Sequence, residues 1–140
     1  MRVFLTGATG YIGRGVAHAL RAAGHEVVGL ARSDDAVSKL QARGVVARRG
    51  DLKEPESVSQ AAREADAVIH TASTNDSAAP QADRTTVEAI AQALKGTNKP
   101  FIYTSGIWVY GDTGERVADE QSPLNPTPLV AWRPANEQLV

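Results

Sequence analysis

Gly7, Gly10 and Gly13 fall at three-residue intervals just after the run Arg2-Val3-Phe4-Leu5, in the stretch Thr-Gly-Ala-Thr-Gly-Tyr-Ile-Gly. Glycines at this spacing suit a chain that must turn tightly out of a strand, let backbone N–H groups approach an anion, and seat a new helix against a sheet. Each of these steps penalises a Cβ. The start of a helix also carries unpaired N–H groups and about half a unit of positive charge, so a diphosphate is stabilised there without a lysine. With a strand before it, a helix after it and a βαβ pattern following, the spacing predicts dinucleotide binding. Gly7 would serve the turn, Gly10 the close approach and Gly13 the helix packing. The amides of Tyr11 and Ile12 would face the phosphates, and Thr9 is a binding residue of the same loop. A phosphoryl-transfer loop would close on Gly-Lys-Ser/Thr, whereas this one closes on Gly13-Arg14-Gly15, which argues against nucleotide hydrolysis.

A second position bears on which dinucleotide. At the end of the run Glu26–Ala31 a carboxylate would accept hydrogen bonds from both ribose hydroxyls of NAD and would repel the extra phosphate of NADP. The chain has Arg32 and then Ser33 there. A guanidinium offers a planar fork of donors to a phosphate dianion, so NADP(H) is expected over NAD(H), with Arg14 adding to the same positive pocket. The alternative is that Arg32 merely pairs with Asp34, Asp35 or solvent.

These residues need a scaffold, and short β-branched runs alternate with amphipathic stretches along the whole chain. The runs Val3–Thr6, Glu26–Ala31, Val45–Arg48, Ala67–Thr71 and Phe101–Ser105 read as strands. Ile12, Val16, Ala19, Leu20 and Ala23 share one helical face, which Gly24 ends. Ala36, Val37 and Leu40 mark a shorter second helix. Pro55 opens a third, with Val58, Ala61, Ala62 and Ala65 on one face, and Val87, Ile90, Ala91 and Leu94 mark a fourth. Residues 73–80 and 111–128 read as loops, and a last helix begins at Pro134. The alternation predicts an α/β fold: a Rossmann-like, doubly wound parallel sheet in three αβα layers, forming one domain over residues 1–140. The final helix stops in its second turn, which suggests the front part of a longer protein, truncated before its substrate-binding portion.

The composition agrees with one ordinary globular core: 140 residues, 42% hydrophobic and 22% charged. No cysteine is present, so disulfides and thiolate metal sites are excluded and a cytoplasmic location is the default expectation. The net charge of −1 hides an asymmetry, since residues 1–50 carry eight Arg/Lys against three Asp/Glu. That suits a small anionic ligand in the glycine-bearing half, although such asymmetry is as often solvated surface. Basic residues are too dispersed, and aromatics at 5% too few, for a nucleic-acid surface; no run approaches a membrane span. His18 and His25 lie apart from partner acids, which leaves a metal site without support, and His70 reads as a packed core residue.

The glycine spacing is G-x-x-G-x-x-G, and here the sequence resembles the extended or atypical short-chain dehydrogenase/reductases, the group of NAD-dependent epimerases, dehydratases and related reductases. The landmarks occur in order: "TGATGYIG", "GLARS", "GDL" at 50–52, "ADAVIHTAS" at 65–73 and "FIYTSGIWVYG" at 101–111. The resemblance implies that Asp51 and Leu52 flank the adenine, although an aspartate after a strand is also a common turn residue. Thr71, Ala72 and Ser73 would pass beneath the nicotinamide-side ribose. It implies a small carbonyl or nucleotide-sugar-like substrate, and a homodimer built through helices equivalent to Thr85–Lys95 and the one begun at Pro134.

In such proteins hydride moves between nicotinamide and substrate while a tyrosine, assisted by a lysine four residues later, transfers the proton. A serine or threonine orients the substrate oxygen. Ser105 is the serine candidate, with Thr104 the alternate and a cofactor-side residue. An alignment on "VYG" would move the serine position onto Gly106. No Tyr-x-x-x-Lys occurs in the chain. Register places Leu129 and Arg133 where that pair would stand; leucine moves no proton, arginine is no shuttle, and Pro134 disfavours a helical Arg133. Trp132 either covers the nicotinamide site or simply packs. Two readings stay open: an NADP(H)-dependent oxidoreductase or epimerase-like enzyme with unusual site chemistry, or a non-catalytic NADP(H)-binding redox sensor.

Overall fold

A computed structural model describes all residues, 1–140. Five parallel strands form one sheet: β1 (Arg2–Thr6), β2 (Glu26–Ala31), β3 (Val46–Arg49), β4 (Ala67–His70) and β5 (Phe101–Tyr103), in the order β3-β2-β1-β4-β5. The chain leaves β1 toward β2 and later returns to β1's other side with β4. That reversal opens a crevice beyond the carboxyl ends of β1 and β4, the place where α/β sheets of this kind bind ligands.

Five α-helices surround the sheet: α1 (Tyr11–Ala22), α2 (Asp34–Gln41), α3 (Pro55–Glu64), α4 (Ala79–Leu94) and α5 (Arg133–Glu137). Because strand side chains alternate, neighbouring residues serve opposite faces. Phe4, Val28 and Val68 pack with Val58, Ala61, Ala62, Ile90 and Leu94 beneath α3 and α4. Leu5, Val27 and Ala31 pack with Ala17, Leu40 and Val45 beneath α1 and α2. The three-layer αβα arrangement expected from the alternation is therefore present. No helix is long and apolar enough to cross a membrane.

Several boundaries differ from the sequence reading. The third strand starts at Val46 because Val45, though buried, closes α2: its N–H donates to the Leu40 carbonyl at 3.0 Å, while Gly44 takes a positive φ of 67°. This is the αL termination that glycine favours. The fifth strand ends at Tyr103, so Thr104 and Ser105 lie just beyond it. Helix α4 begins at Ala79, inside the stretch read as a loop. Arg133 opens α5 despite the proline after it. Its guanidinium donates to the Thr104 carbonyl at 3.1 Å and stacks 4.6 Å over Trp132, and these contacts outweigh the local preference.

Candidate functional site

The turn from β1 into α1 is built by the glycines. Gly7 has φ +71°, and a Cβ on it would lie 2.8 Å from the Ala72 nitrogen. A Cβ on Gly13 would lie 2.2 Å from the Gly7 carbonyl oxygen, so the helix sits directly on the turn. Around Gly10 the only near neighbour of a Cβ would be the Gly7 oxygen at 3.2 Å, which leaves its outer side open to a ligand. The N–H groups of Tyr11 and Ile12 have no partner within the chain, no side chain caps α1, and its first turn holds no acid. That is the donor set a diphosphate requires.

A cavity of about 380 Å³ lies beside this turn. Of the expected residues, Gly7, Thr9, Arg32, Ser33, Asp51, Leu52, Ala72 and Ser73 line it together. Gly10, Tyr11, Ile12 and Gly13 form the adjoining helix start. Thr71 stands behind the turn, its hydroxyl donating to the Thr6 carbonyl at 2.8 Å. Thr104 lies at the end of β5, its N–H bonded to the His70 carbonyl at 3.0 Å. Arg14 does not share the cavity with Arg32. With Gly13 turned to the sheet, the next side chain is rotated by ~100° about the helix, and Arg14 lines a separate hollow with His18, Arg21 and Arg43.

Charge in the cavity is distributed unevenly. Asp34 is paired with Arg49, and Asp35 with Lys39 at 2.6 Å. Both carboxylates that could have neutralised Arg32 are thus engaged elsewhere, and Arg32 forms no salt bridge and donates no hydrogen bond. The Ser33 hydroxyl accepts from the Ala36 N–H at 3.2 Å and caps α2. Asp51 holds a turn by accepting from the Lys53 N–H at 3.0 Å. Lys39 lines the cavity too and escaped the sequence reading. Its signal was present in the helical spacing, six residues after the Ser33 cap.

Behind the crevice lies a polar network that the sequence reading also missed. The buried Thr6 hydroxyl accepts the N–H groups of Thr71 and Ala72 at 3.2 and 3.3 Å. With both lone pairs occupied its own hydrogen points to His70 Nδ1, 2.6 Å away, and the ring's Nε2 faces Asp83 at 3.0 Å as a donor. Asp83, 5% exposed, also accepts from the Tyr103 hydroxyl at 2.6 Å and from Asn136 at 2.7 Å. Burial alone would raise its pKa, but the bonds from His70, Tyr103 and Asn136 outweigh that and hold the carboxyl below its ordinary value. Burial and the donation to Asp83 push the Tyr103 phenol above its usual range, which makes it a weaker acid than a free tyrosine. Asp83 was detectable as an acid on the apolar stripe of α4 with Val87, Ile90 and Leu94.

Ser105 donates to the Glu137 carboxylate and shares a cavity of about 480 Å³ with Tyr103 and Tyr110. Leu129, Trp132 and Arg133 line another, of about 620 Å³, together with Ser73.

A family model described as NAD(P)H-binding matches residues 7–140. The chain belongs to the NAD(P)H-binding family. Among its relatives, an uncharacterised protein of Saccharomyces cerevisiae is 42% identical over 131 residues, covering 89% of this chain and 43% of that protein. A 4-hydroxy-2-methyl-3-oxo-4-farnesyl-3,4-dihydroquinoline-1-oxide ketoreductase of Stigmatella aurantiaca is 32% identical across 100% of this chain and 45% of its own length. The crystal structure of a Thermus thermophilus UDP-glucose 4-epimerase in complex with NAD superposes with a TM-score of 0.79 at 26% identity, over 99% of this chain and 49% of that one. The resemblance to epimerases and short-chain dehydrogenase/reductases thus holds, and the cofactor of this NAD(P)H-binding chain is a nicotinamide dinucleotide. The chain spans under half the length of these two curated relatives.

Proposed function

We propose that this chain is the cofactor-binding part of an NADP(H)-dependent reductase acting on a small carbonyl substrate. The observation that carries this reading is the unpaired Arg32 guanidinium on the cavity wall, with Lys39 beside it and the neighbouring acids already engaged. A 2′-phosphate would meet a fork of free donors there, whereas an unmodified ribose would find no carboxylate at that position. The relative named as a ketoreductase supports the carbonyl class of substrate.

The bound nicotinamide would supply or accept hydride. The free amides of Tyr11 and Ile12 would hold the diphosphate, and the Ala72 and Ser73 backbone would seat the nearer ribose. Ser105 orients the substrate oxygen through its hydroxyl. Glu137, whose carboxylate accepts from that hydroxyl, would take up a proton from solvent and pass it to Ser105 as Ser105 gives its own to the substrate oxygen, since Tyr103 is committed to Asp83. Further substrate contacts are proposed to come from a region corresponding to the remaining length of the relatives.

Fluorescence titration with NADPH and NADH tests the cofactor assignment. The parent is expected to prefer NADPH, and Arg32→Asp to reverse the preference; equal affinities in the parent would remove the argument. Turnover of NADPH by the full-length protein with a panel of carbonyl and sugar-nucleotide substrates tests the enzyme assignment. Tight cofactor binding without oxidation would leave the sensor reading in its place.

A further inference from the structure

The hollow that holds Arg14 has a volume of about 220 Å³ and lies between α1 and the turn that precedes β3. It shares no residue with the dinucleotide cavity. Arg14, His18 and Arg21 fall on one face of α1 and Arg43 faces them across the gap, over a floor that includes Ala17 and Val45. No acidic residue lines it. Five other arginines, Arg2, Arg48, Arg49, Arg63 and Arg84, each meet a carboxylate, whereas none of the three arginines of this hollow does.

Three guanidinium groups gathered around one hollow with no acid among them repel one another, and an anion there would relieve that repulsion. The geometry is also fixed in part. Arg21 donates to the Arg43 carbonyl at 2.6 Å, and its guanidinium packs on Gly44, where a Cβ would lie 2.5 Å from it. Gly44 has φ +67°, so the turn carrying Arg43 and the seat for Arg21 are one construction. The lining has no aromatic ring to stack a base, and three guanidinium groups line it, a donor set suited to a tetrahedral anion.

We propose that this hollow is a second anion site, separate from the dinucleotide cavity, which takes a phosphate dianion either free or as the monoester of a small metabolite. The test uses the protein saturated with its nicotinamide cofactor, so that the first site is filled, and follows backbone amide NMR signals during titration with inorganic phosphate and, separately, ribose 5-phosphate. Saturable shifts at His18, Arg21, Arg43 and Val45 are expected, weakened about tenfold or more in Arg43→Gln and in Arg21→Gln, with cofactor affinity unchanged. Tighter binding of inorganic phosphate identifies a free ion, and tighter binding of the sugar phosphate a monoester; both support the site. Absence of saturable shifts with either probe up to about 10 mM, or shifts that survive both substitutions, would overturn it. The Arg43 side chain makes no hydrogen bond in the fold, so its variant tests binding independently of folding.

Discussion

Replacing Gly13 by alanine tests how the turn and the helix are joined. The added methyl would lie 2.2 Å from the Gly7 oxygen and 2.6 Å from the Gly7 carbon, whereas ordinary contact begins at 3.4 Å. Both obstacles are backbone, so no rotamer change relieves them, and the start of α1 must retreat by about 1 Å. Overpacking of this kind costs about 1–3 kcal/mol. The same retreat draws the Tyr11 and Ile12 amides away from the diphosphate, and each charge-assisted bond lost costs about 1.5–3 kcal/mol. Loss of one such bond is therefore expected to lower cofactor affinity by about 10- to 100-fold, and the melting temperature by roughly 3 °C per kcal/mol of stability lost. Gly15→Ala is the control, because a Cβ there meets nothing within 4 Å. It removes a glycine from a helix interior, so it should stabilise by about 0.5–1 kcal/mol and leave binding intact. Fluorescence titration and thermal melts of the two variants supply the measurement. A Gly13→Ala protein that binds cofactor like the parent would refute the account of the turn.

Other consequences can be measured separately. Arg32→Ala should weaken NADPH by about tenfold and NADH by less than about twofold in parallel titrations. Asp83→Asn places an amide N–H₂ against buried donors and should cost about 2–4 kcal/mol at pH 7 in urea denaturation. Because Asp83's folded pKa is depressed, its contribution is present above the unfolded value near ~3.9 and is lost as pH falls through the folded one, so the gap between parent and variant should narrow below about pH 4. In the full-length protein, Glu137→Gln should lower kcat by about 10²-fold and flatten its pH profile, whereas an unchanged profile would take Glu137 out of the proton route.

The residues that bring the cofactor to the sheet were legible because each obeys a local rule. Gly7 takes a positive φ and Gly13 answers a steric demand six positions away, and Arg32 directly follows the apolar run 27–31. Lys39 and Asp83 were harder, since their roles depend on which helix face turns toward the crevice. The destination of Arg14 escaped for the same reason: its nearness to the glycines in sequence conceals its rotation away from them about α1. Thr6 looked like an ordinary strand end. Its importance arises from partners 64 to 66 positions away, a separation that no window of local periodicity spans.

That single oxygen also governs how the crevice can breathe. It receives two amides from the exit of β4 while belonging to the strand that leads into the glycine turn. Parting those walls would strand buried donors away from water, so they move as one body. Ligand entry and release must then be accommodated on the opposite bank, where the Asp51 turn is held by hydrogen bonds from the Lys53 N–H and the Ser57 hydroxyl and the short α2 is anchored by Leu40.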